Sequence, residues 1–322
     1  MLMNIQILRA FAALNVVLYH IIGTSKSYGY ETQIIGFLKG WGANGVDIFF
    51  VISGFVMLYT SLANKRSVRD FLMSRAIRII PIYWLLTIVV IALFLFWPSA
   101  FREMAITPTW VLTSFAFISN FVTGEHPIVY LGWTLEYEMM FYLVFGFSLW
   151  FRSWLVSLSV TTVALVLFAI ALSNFILIEF IAGLLIAMVF TRLEVKHLGR
   201  TSLIIGSGLL LFSINDGVKD LIDSREILWG IPSVLIVYGA ITTTQLNSKI
   251  GKLLGDASYS IYLIQVLSIP IFYKVISYID FGINTDLLAI VCLLSTAIGG
   301  TLMYKVVEQP ITKYLKTSVF GG

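Results

Sequence analysis

Residues 79–97 read IIPIYWLLTIVVIALFLFW, nineteen positions without a charge. A helix that crosses a bilayer needs about 20 mostly apolar residues, within a range of about 17–25. No soluble protein of ordinary composition has a place for such a run, and here it is one of many. Working outward on the same scale, further candidate spans lie at 5–23, 44–62, 131–150, 154–172, 174–191, 201–214, 227–243, 257–278 and 286–306. The 322-residue chain is 59% hydrophobic and 12% charged, with a mean hydropathy of +0.93. Soluble domains average about 45–50% apolar and about 25% charged residues. No hydrophilic block reaches the roughly 50 residues of a small domain. The expected fold is therefore all-α: one membrane domain over 1–322, a helical bundle of about ten spans, with no separate soluble domain. The N-terminus has no basic residues ahead of its apolar run and no cleavage signal, so it reads as a retained first span.

Charge sets the expected orientation. Lys65, Arg66, Arg69, Arg75 and Arg78 follow the second span; Arg192, Lys196, His197 and Arg200 follow the sixth; Lys313 and Lys316 follow the last. The loop at 215–226 is acidic instead, with Asp216, Asp220, Asp223 and Glu226 against Lys219 and Arg225. Basic loops stay on the cytoplasmic side. All the basic loops share that side only if the apolar segment 109–121, bounded by Pro108 and Asn120, does not cross. Both termini are then expected in the cytoplasm of a bacterial-type inner membrane, with 109–121 at the outer face. The sole cysteine, Cys292, reads as packing, and the three histidines lie too far apart for a metal site. No phosphate-binding glycine loop or dinucleotide fingerprint is present. The absence of an internal repeat argues against transporter folds built from repeated halves.

Ionisable residues inside spans are costly and rare, so each is a functional hypothesis. Arg9 and His20 lie eleven residues apart on the first span, close to three turns, and so project from one side. At 1.5 Å per residue they are separated by about 16 Å, with Arg9 toward the cytoplasm and His20 toward the outer face. The bland alternatives are an arginine that reaches for headgroups and a satisfied core histidine. The second span, NGVDIFFVISGF, enters from outside and brings Asp47 to the depth of His20, or else Asp47 merely starts the helix at the interface. Ser53 and Gly54 there read as helix packing. In WTLEYEMMFY, Glu136 and Glu138 point to nearly opposite faces. Glu138 is the deeper and is the favoured site residue, whereas Glu136 reads as solvated at the interface. An imidazole beside a carboxylate is the usual equipment for taking a proton from a hydroxyl.

At the other end, FLMSRAIRIIPIYW sets Arg75 and Arg78 before the third span. They serve either topology or the clamping of phosphate, to which guanidinium groups are suited. Pro81 reads as a helix start. Asp256 and Ser258 in LGDASYSIYLIQ read as caps, Tyr259 and Tyr262 as interfacial rings, and Glu308 with Pro310 as a helix stop.

Taken together, LRAFAALNVVLYH, GVDIFFVISGF, RAIRIIPIYW, GWTLEYEMMFY, LGDASYSIYLIQ and VEQP, in that order from Arg9 to Pro310, resemble the acyltransferase 3 family of integral membrane acyltransferases. The resemblance implies no permanently bound cofactor. It implies acyl-CoA, acetyl-CoA by default, as a donor from the cytoplasm. The implied acceptor is a hydroxyl of a glycan or lipid-linked saccharide, and no nucleic-acid partner is expected. Arg9, His20 and Glu138 become the positions expected to matter most, with Arg75 and Arg78 on the donor side. Thr134 stands where serine is commoner, and Gln265 where many members have histidine, so Gln265 is assigned no catalysis. The expected mechanism docks the donor's phosphates near Arg75, Arg78 and Arg9. Its thiol arm then threads the bundle to His20, which Asp47 or Glu138 orients as a general base. The rival reading is a transporter or flippase of a glycolipid precursor, whose buried charges would line a path.

Overall fold

A computed structural model describes residues 2–64, 66–98, 106–192, 198–279 and 284–321. Of the basic loop residues, Lys65, Lys196 and His197 lie outside that set. The chain is an all-α bundle, and the described residues contain no strand. In chain order the helices are α1 (Met3–Ser27), α2 (Asn44–Ala63), α3 (Val68–Phe96), α4 (Pro108–Phe115), α5 (Ser119–Val122), α6 (Gly132–Ser148), α7 (Trp154–Ala171) and α8 (Leu177–Arg192). They continue with α9 (Gly199–Phe212), α10 (Asp216–Leu221), α11 (Ile231–Thr242), α12 (Lys249–Asp256), α13 (Ser258–Ile276), α14 (Thr285–Met303) and α15 (Gln309–Phe320).

A helix stands at each of the ten expected spans. Six stretches are long and apolar enough to cross by themselves: Met3–Ser27, Trp41–Ala63, Val68–Phe96, Trp154–Ala171, Ser258–Ile276 and Thr285–Phe320. The others, α6, α8, α9 and α11, are shorter, at 17, 16, 14 and 12 residues. The segment expected not to cross forms α4 and α5, of 8 and 4 residues, far below spanning length. Its position is fixed by Glu136, discussed below.

Two expected helix boundaries are corrected. Pro81 does not start the third span. It lies inside α3, which begins thirteen residues earlier at Val68, where the Ser67 side chain accepts the Asp70 N–H at 3.0 Å. Proline is tolerated in such helices because neighbours in the bundle satisfy the freed backbone groups. The consequence is that Arg75 and Arg78 ride on a helix at i and i+3, hence on one face. Nor do Glu308 and Pro310 stop the last span. A π-turn, Tyr304–Glu308, joins α14 to α15, and Pro310 falls in the first turn of α15, where its missing N–H costs least.

α1 is packed against α2, α12, α13 and α14. α2 and α8 meet backbone to backbone. A Cβ added at Gly54 would fall 2.1 Å from the Phe180 carbonyl oxygen, and one at Gly183 would fall 2.1 Å from that of Val51. Without a hydrophobic drive between helices in lipid, close approach at small residues supplies the packing energy. Cys292 is fully buried among apolar neighbours, as expected.

Candidate active site

α1 carries a polar residue at each end of a hollow. At the basic end, the Arg9 guanidinium is buried, donates to Ser258 Oγ at 2.9 Å through Nη2 and to Gln6 Oε1 at 3.2 Å through Nη1. Gln6 Nε2 donates onward to Asp256 Oδ1 at 2.8 Å, and Asp256 Oδ2 pairs with Lys252 at 2.9 Å. Asp256 and Ser258 thus form a polar wall behind Arg9 instead of capping a helix, because the close α12–α13 turn brings both against α1. Arg75 lies 5.9 Å from the ring centres of Phe71 and Tyr142. Glu308, buried on the π-turn, accepts the Ser260 hydroxyl at 2.6 Å.

Two hollows meet here. An open vestibule at the basic end is lined by α15, Asp256, Tyr304 and Glu308, together with Arg9 and Arg78. An inner cavity of about 70 Å3 shares Arg9 and Arg78 with it, so these two arginines form the neck. The inner cavity follows one face of α2 from Met57 to Val46, eleven residues, which is about 16 Å of helix. Its outer end, at Val46, is about level with Ala12 of α1, since Gly45 meets Ala12 and Asn44 pairs with Asn15, and His20 is not among the lining residues. The α2 wall is mostly apolar, and Ser53, Glu138, Thr134, Tyr142, Tyr259 and Tyr262 add polar groups. Tyr259 and Tyr262 are buried, not interfacial. Their hydroxyls donate to the carbonyls of Ile79 at 2.7 Å and Leu131 at 3.0 Å, and Tyr262 Oη also lies 2.8 Å from Thr134 Oγ1.

His20 sits just past the closed end. Its ring is half-buried, 4.9 Å from the ring centre of Tyr19 and 5.3 Å from that of Tyr130. Nδ1 lies 2.9 Å from the Val16 carbonyl and 3.1 Å from Gln265 Oε1. A carbonyl only accepts, so Nδ1 carries the hydrogen and Nε2 keeps a free lone pair. The Gln265 amide is fixed by its Nε2, which donates to the Tyr262 carbonyl at 2.7 Å. Tyr262 and Gln265 therefore form the single layer between the cavity and the imidazole.

The expected carboxylate partners of His20 are not found beside it. Among the described residues, no hydrogen bond joins His20 to Asp47 or Glu138. Asp47 is wholly buried and bound by Arg225, with Nη2 at 2.6 Å from Oδ2 and Nε at 3.1 Å from Oδ1. The expected equal depth is corrected too: Asn15 pairs with Asn44 and Gly45 meets Ala12, which leaves Asp47 well below His20. Glu138 lies lower, in the cavity wall, where it accepts the Ser53 hydroxyl at 3.1 Å and the Tyr142 hydroxyl. Ser53 is thus more than helix packing. Glu136 is not solvated at the interface. It is buried, and its two oxygens accept the backbone N–H groups of Ser119 at 2.8 Å and Asn120 at 2.9 Å, which pins α5 to α6.

Sequence reasoning misjudged Gln265, Tyr262 and Arg225, and it did not weigh Glu179, which is buried on α8 beside Asp47. A neutral amide or a tyrosine in a span carries no penalty conspicuous enough to flag it. Arg225 was counted as a loop charge.

A family model described as an acyltransferase domain, of the acyltransferase 3 type, matches residues 3–305. The exopolysaccharide production protein ExoZ of Rhizobium meliloti (strain 1021) is 34% identical over 84% of this chain and 90% of its own length. The O-acetyltransferase OatA of Staphylococcus aureus (strain NCTC 8325 / PS 47) is 27% identical over 95% of this chain but only 56% of its own length. The peptidoglycan O-acetyltransferase OatA of Listeria monocytogenes serovar 1/2a (strain ATCC BAA-679 / EGD-e) is 30% identical over 47% of this chain and 25% of its own. No solved structure matches. A helical membrane bundle, hollow along α1 and matched by the family model over almost its whole length, belongs to the acyltransferase 3 family and is a membrane acyltransferase.

Proposed function

We propose that this protein moves an acetyl group from cytoplasmic acetyl-CoA to a hydroxyl of a cell-surface glycan or lipid-linked saccharide. It acts in the inner membrane, with both termini in the cytoplasm. The observation that carries the reading is the hollow along α1, which opens at Arg9 and Arg78 and ends one side-chain layer from His20. Its length suits an extended thiol arm, its neck suits phosphate, and its apolar α2 wall excludes water from the thioester. The names of the relatives, an exopolysaccharide production protein and O-acetyltransferases, support a glycan acceptor and an acetyl group.

In this reaction the acceptor hydroxyl approaches His20 from the outer side. Nε2 takes its proton while the oxygen attacks the thioester carbonyl. The new C–O bond forms, the C–S bond breaks, and the proton passes to the departing thiolate. Val16 and Gln265 hold the hydrogen on Nδ1 and stabilise the imidazolium, the work expected of a carboxylate. The Tyr262 ring, released from Thr134, turns aside to let the carbonyl through.

The test is direct. Purified protein in detergent receives acetyl-CoA labelled in the acetyl carbon, and polysaccharide isolated from cells lacking the gene. Alkali-labile label on the polysaccharide is expected, as is a polysaccharide heavier by one acetyl mass in cells that carry the gene. Label remaining on CoA, with identical polysaccharide masses, overturns the reading.

Gln265 is a positioning residue on this account. Gln265→Leu is expected to lower kcat by at least about tenfold, the worth of one hydrogen bond to a charged group at about 1.5–3 kcal/mol. KM for acetyl-CoA stays near the parent value, because the donor's polar end binds far away. Steady-state kinetics read the split, and a rise in KM with kcat intact would assign Gln265 to binding.

A further inference from the structure

The vestibule has more positive charge than the expected arginines supply. α15 turns Gln309, Thr312, Lys313, Lys316 and Thr317 into it, a polar stripe at i, i+3, i+4, i+7 and i+8 along one helical face. The opposite face holds Ile311, which packs on the core. α15 follows the π-turn and lies against α3, the helix of Arg75 and Arg78. This stripe falls beyond residue 305, where the family match ends.

The cations there outnumber the carboxylates. Lys313, Lys316, Arg9 and Arg78 line the vestibule, against the carboxylates of Asp256 and Glu308. Asp256 is already paired with Lys252 at 2.9 Å, while Glu308, which accepts from the neutral Ser260 hydroxyl, keeps its charge, so four cations face one uncommitted carboxylate. Among the described residues, none of these four cations forms an ion pair within 4.0 Å. Like charges held together around a hollow oppose folding unless an anion fills it. Tyr304 adds an aromatic ring to the same wall, on which a base can stack.

We infer that Lys313 and Lys316 of α15 bind the phosphates at the nucleotide end of the donor. This rests on the acyl-CoA reading above and adds to it a division of labour. Arg9 and Arg78, at the neck, face the start of the thiol arm and the nearer phosphates. The α15 lysines, farther out, take the phosphate on the ribose, and Tyr304 takes the base. The ligand class is an adenine nucleotide with phosphates on both sides of its ribose.

The probe is 3′,5′-ADP, which has those phosphates and no thiol arm, so binding is read without turnover. The whole protein in phosphatidylcholine nanodiscs is titrated calorimetrically. Lys313→Ala/Lys316→Ala is expected to weaken 3′,5′-ADP at least about tenfold, and Lys313→Arg/Lys316→Arg to restore most of the affinity. In transfer assays, the preference for acetyl-CoA over acetyl-pantetheine, as a ratio of kcat/KM, falls by a similar factor in the alanine variant. Failure of the parent protein to bind 3′,5′-ADP, or equal binding by the alanine variant, overturns the inference. If the lysines hold lipid phosphate instead, the nucleotide affinities match and only nanodiscs containing phosphatidylglycerol separate the variants. Donor failure reads differently. A protein that binds 3′,5′-ADP through α15 yet never releases acetyl from acetyl-CoA keeps this inference and refutes the proposed reaction.

Discussion

His20→Ala is expected to lower kcat for acyl transfer by about 10²–10⁴-fold, the contribution of a positioned general base. The protein should still reach the membrane in normal amount, and KM for the donor should change little. The reasoning is geometric. His20 is half-buried against Tyr19 and Tyr130, at the edge of the bundle's core, so truncation removes few packing contacts. Its Nδ1 is committed to the Val16 carbonyl and Gln265, which leaves Nε2 as its basic atom, beyond the layer of Tyr262 and Gln265. The groups assigned to the donor's charge, Arg9 and Arg78, lie about 16 Å below. Initial rates with labelled acetyl-CoA, alongside protein quantified in purified membranes, make the check. Turnover within a few-fold of the parent would remove the imidazole from the chemistry.

How much of this was legible in the sequence follows from which quantities a sequence encodes. Hydropathy and length located a helix at each of the ten expected spans, six of them in stretches long and apolar enough to cross, because the cost of exposing a backbone in lipid is paid segment by segment. The same energetics singled out Arg9, His20 and Glu138, since a charge in a span stands out against its neighbours. Depth along one helix was also recoverable, as it is position times rise. Azimuth between helices was not. Nor was the register between α1 and α2: Asn44 pairs with Asn15 and Gly45 meets Ala12, so Asp47 lies about eight residues of helix, roughly 12 Å, deeper than His20, and it turns toward Arg225 and the loop before α11, a contact across 178 positions of sequence. Glu136 and Glu138 were correctly read as opposed on their helix. Which of them faced water depended on α5, a four-residue helix whose backbone N–H groups supply Glu136 with partners. Gln265 was set aside because an amide cannot carry out proton transfer. The structure puts it where an acceptor is needed, and an amide oxygen suffices for that.

Replacement of Arg225 tests the part of the molecule that holds the outer end of α2 in place. Asp47 is wholly buried, Glu179 of α8 lies against it, and the Arg225 guanidinium is the cation between them and the loop. It donates twice to Asp47 and once to the Ala43 carbonyl at 3.0 Å, and stacks 5.0 Å from the ring centre of Trp229. Arg225→Ala leaves two carboxyl groups facing each other in a low-dielectric interior with no opposing charge. Removing one partner of a buried ion pair costs about 3–5 kcal/mol. The side chain of Arg225 is 29% exposed, so the lower part of that range applies. The variant should unfold at a markedly lower temperature in detergent. A second substitution, Asp47→Asn on the Arg225→Ala background, should recover most of the loss, because the penalty comes from the stranded charge and not from the missing contact. The same ladder carries a functional consequence. Asn44, at the start of α2, accepts the Asn15 amide at 2.9 Å, and Asn15 stands five residues before His20 on α1. Loosening α2 there should slow transfer without altering 3′,5′-ADP binding at the far end. An Arg225→Ala protein as heat-stable as the parent would mean that water or a shared proton already compensates the two carboxyls, and that Arg225 is a surface residue with no structural task.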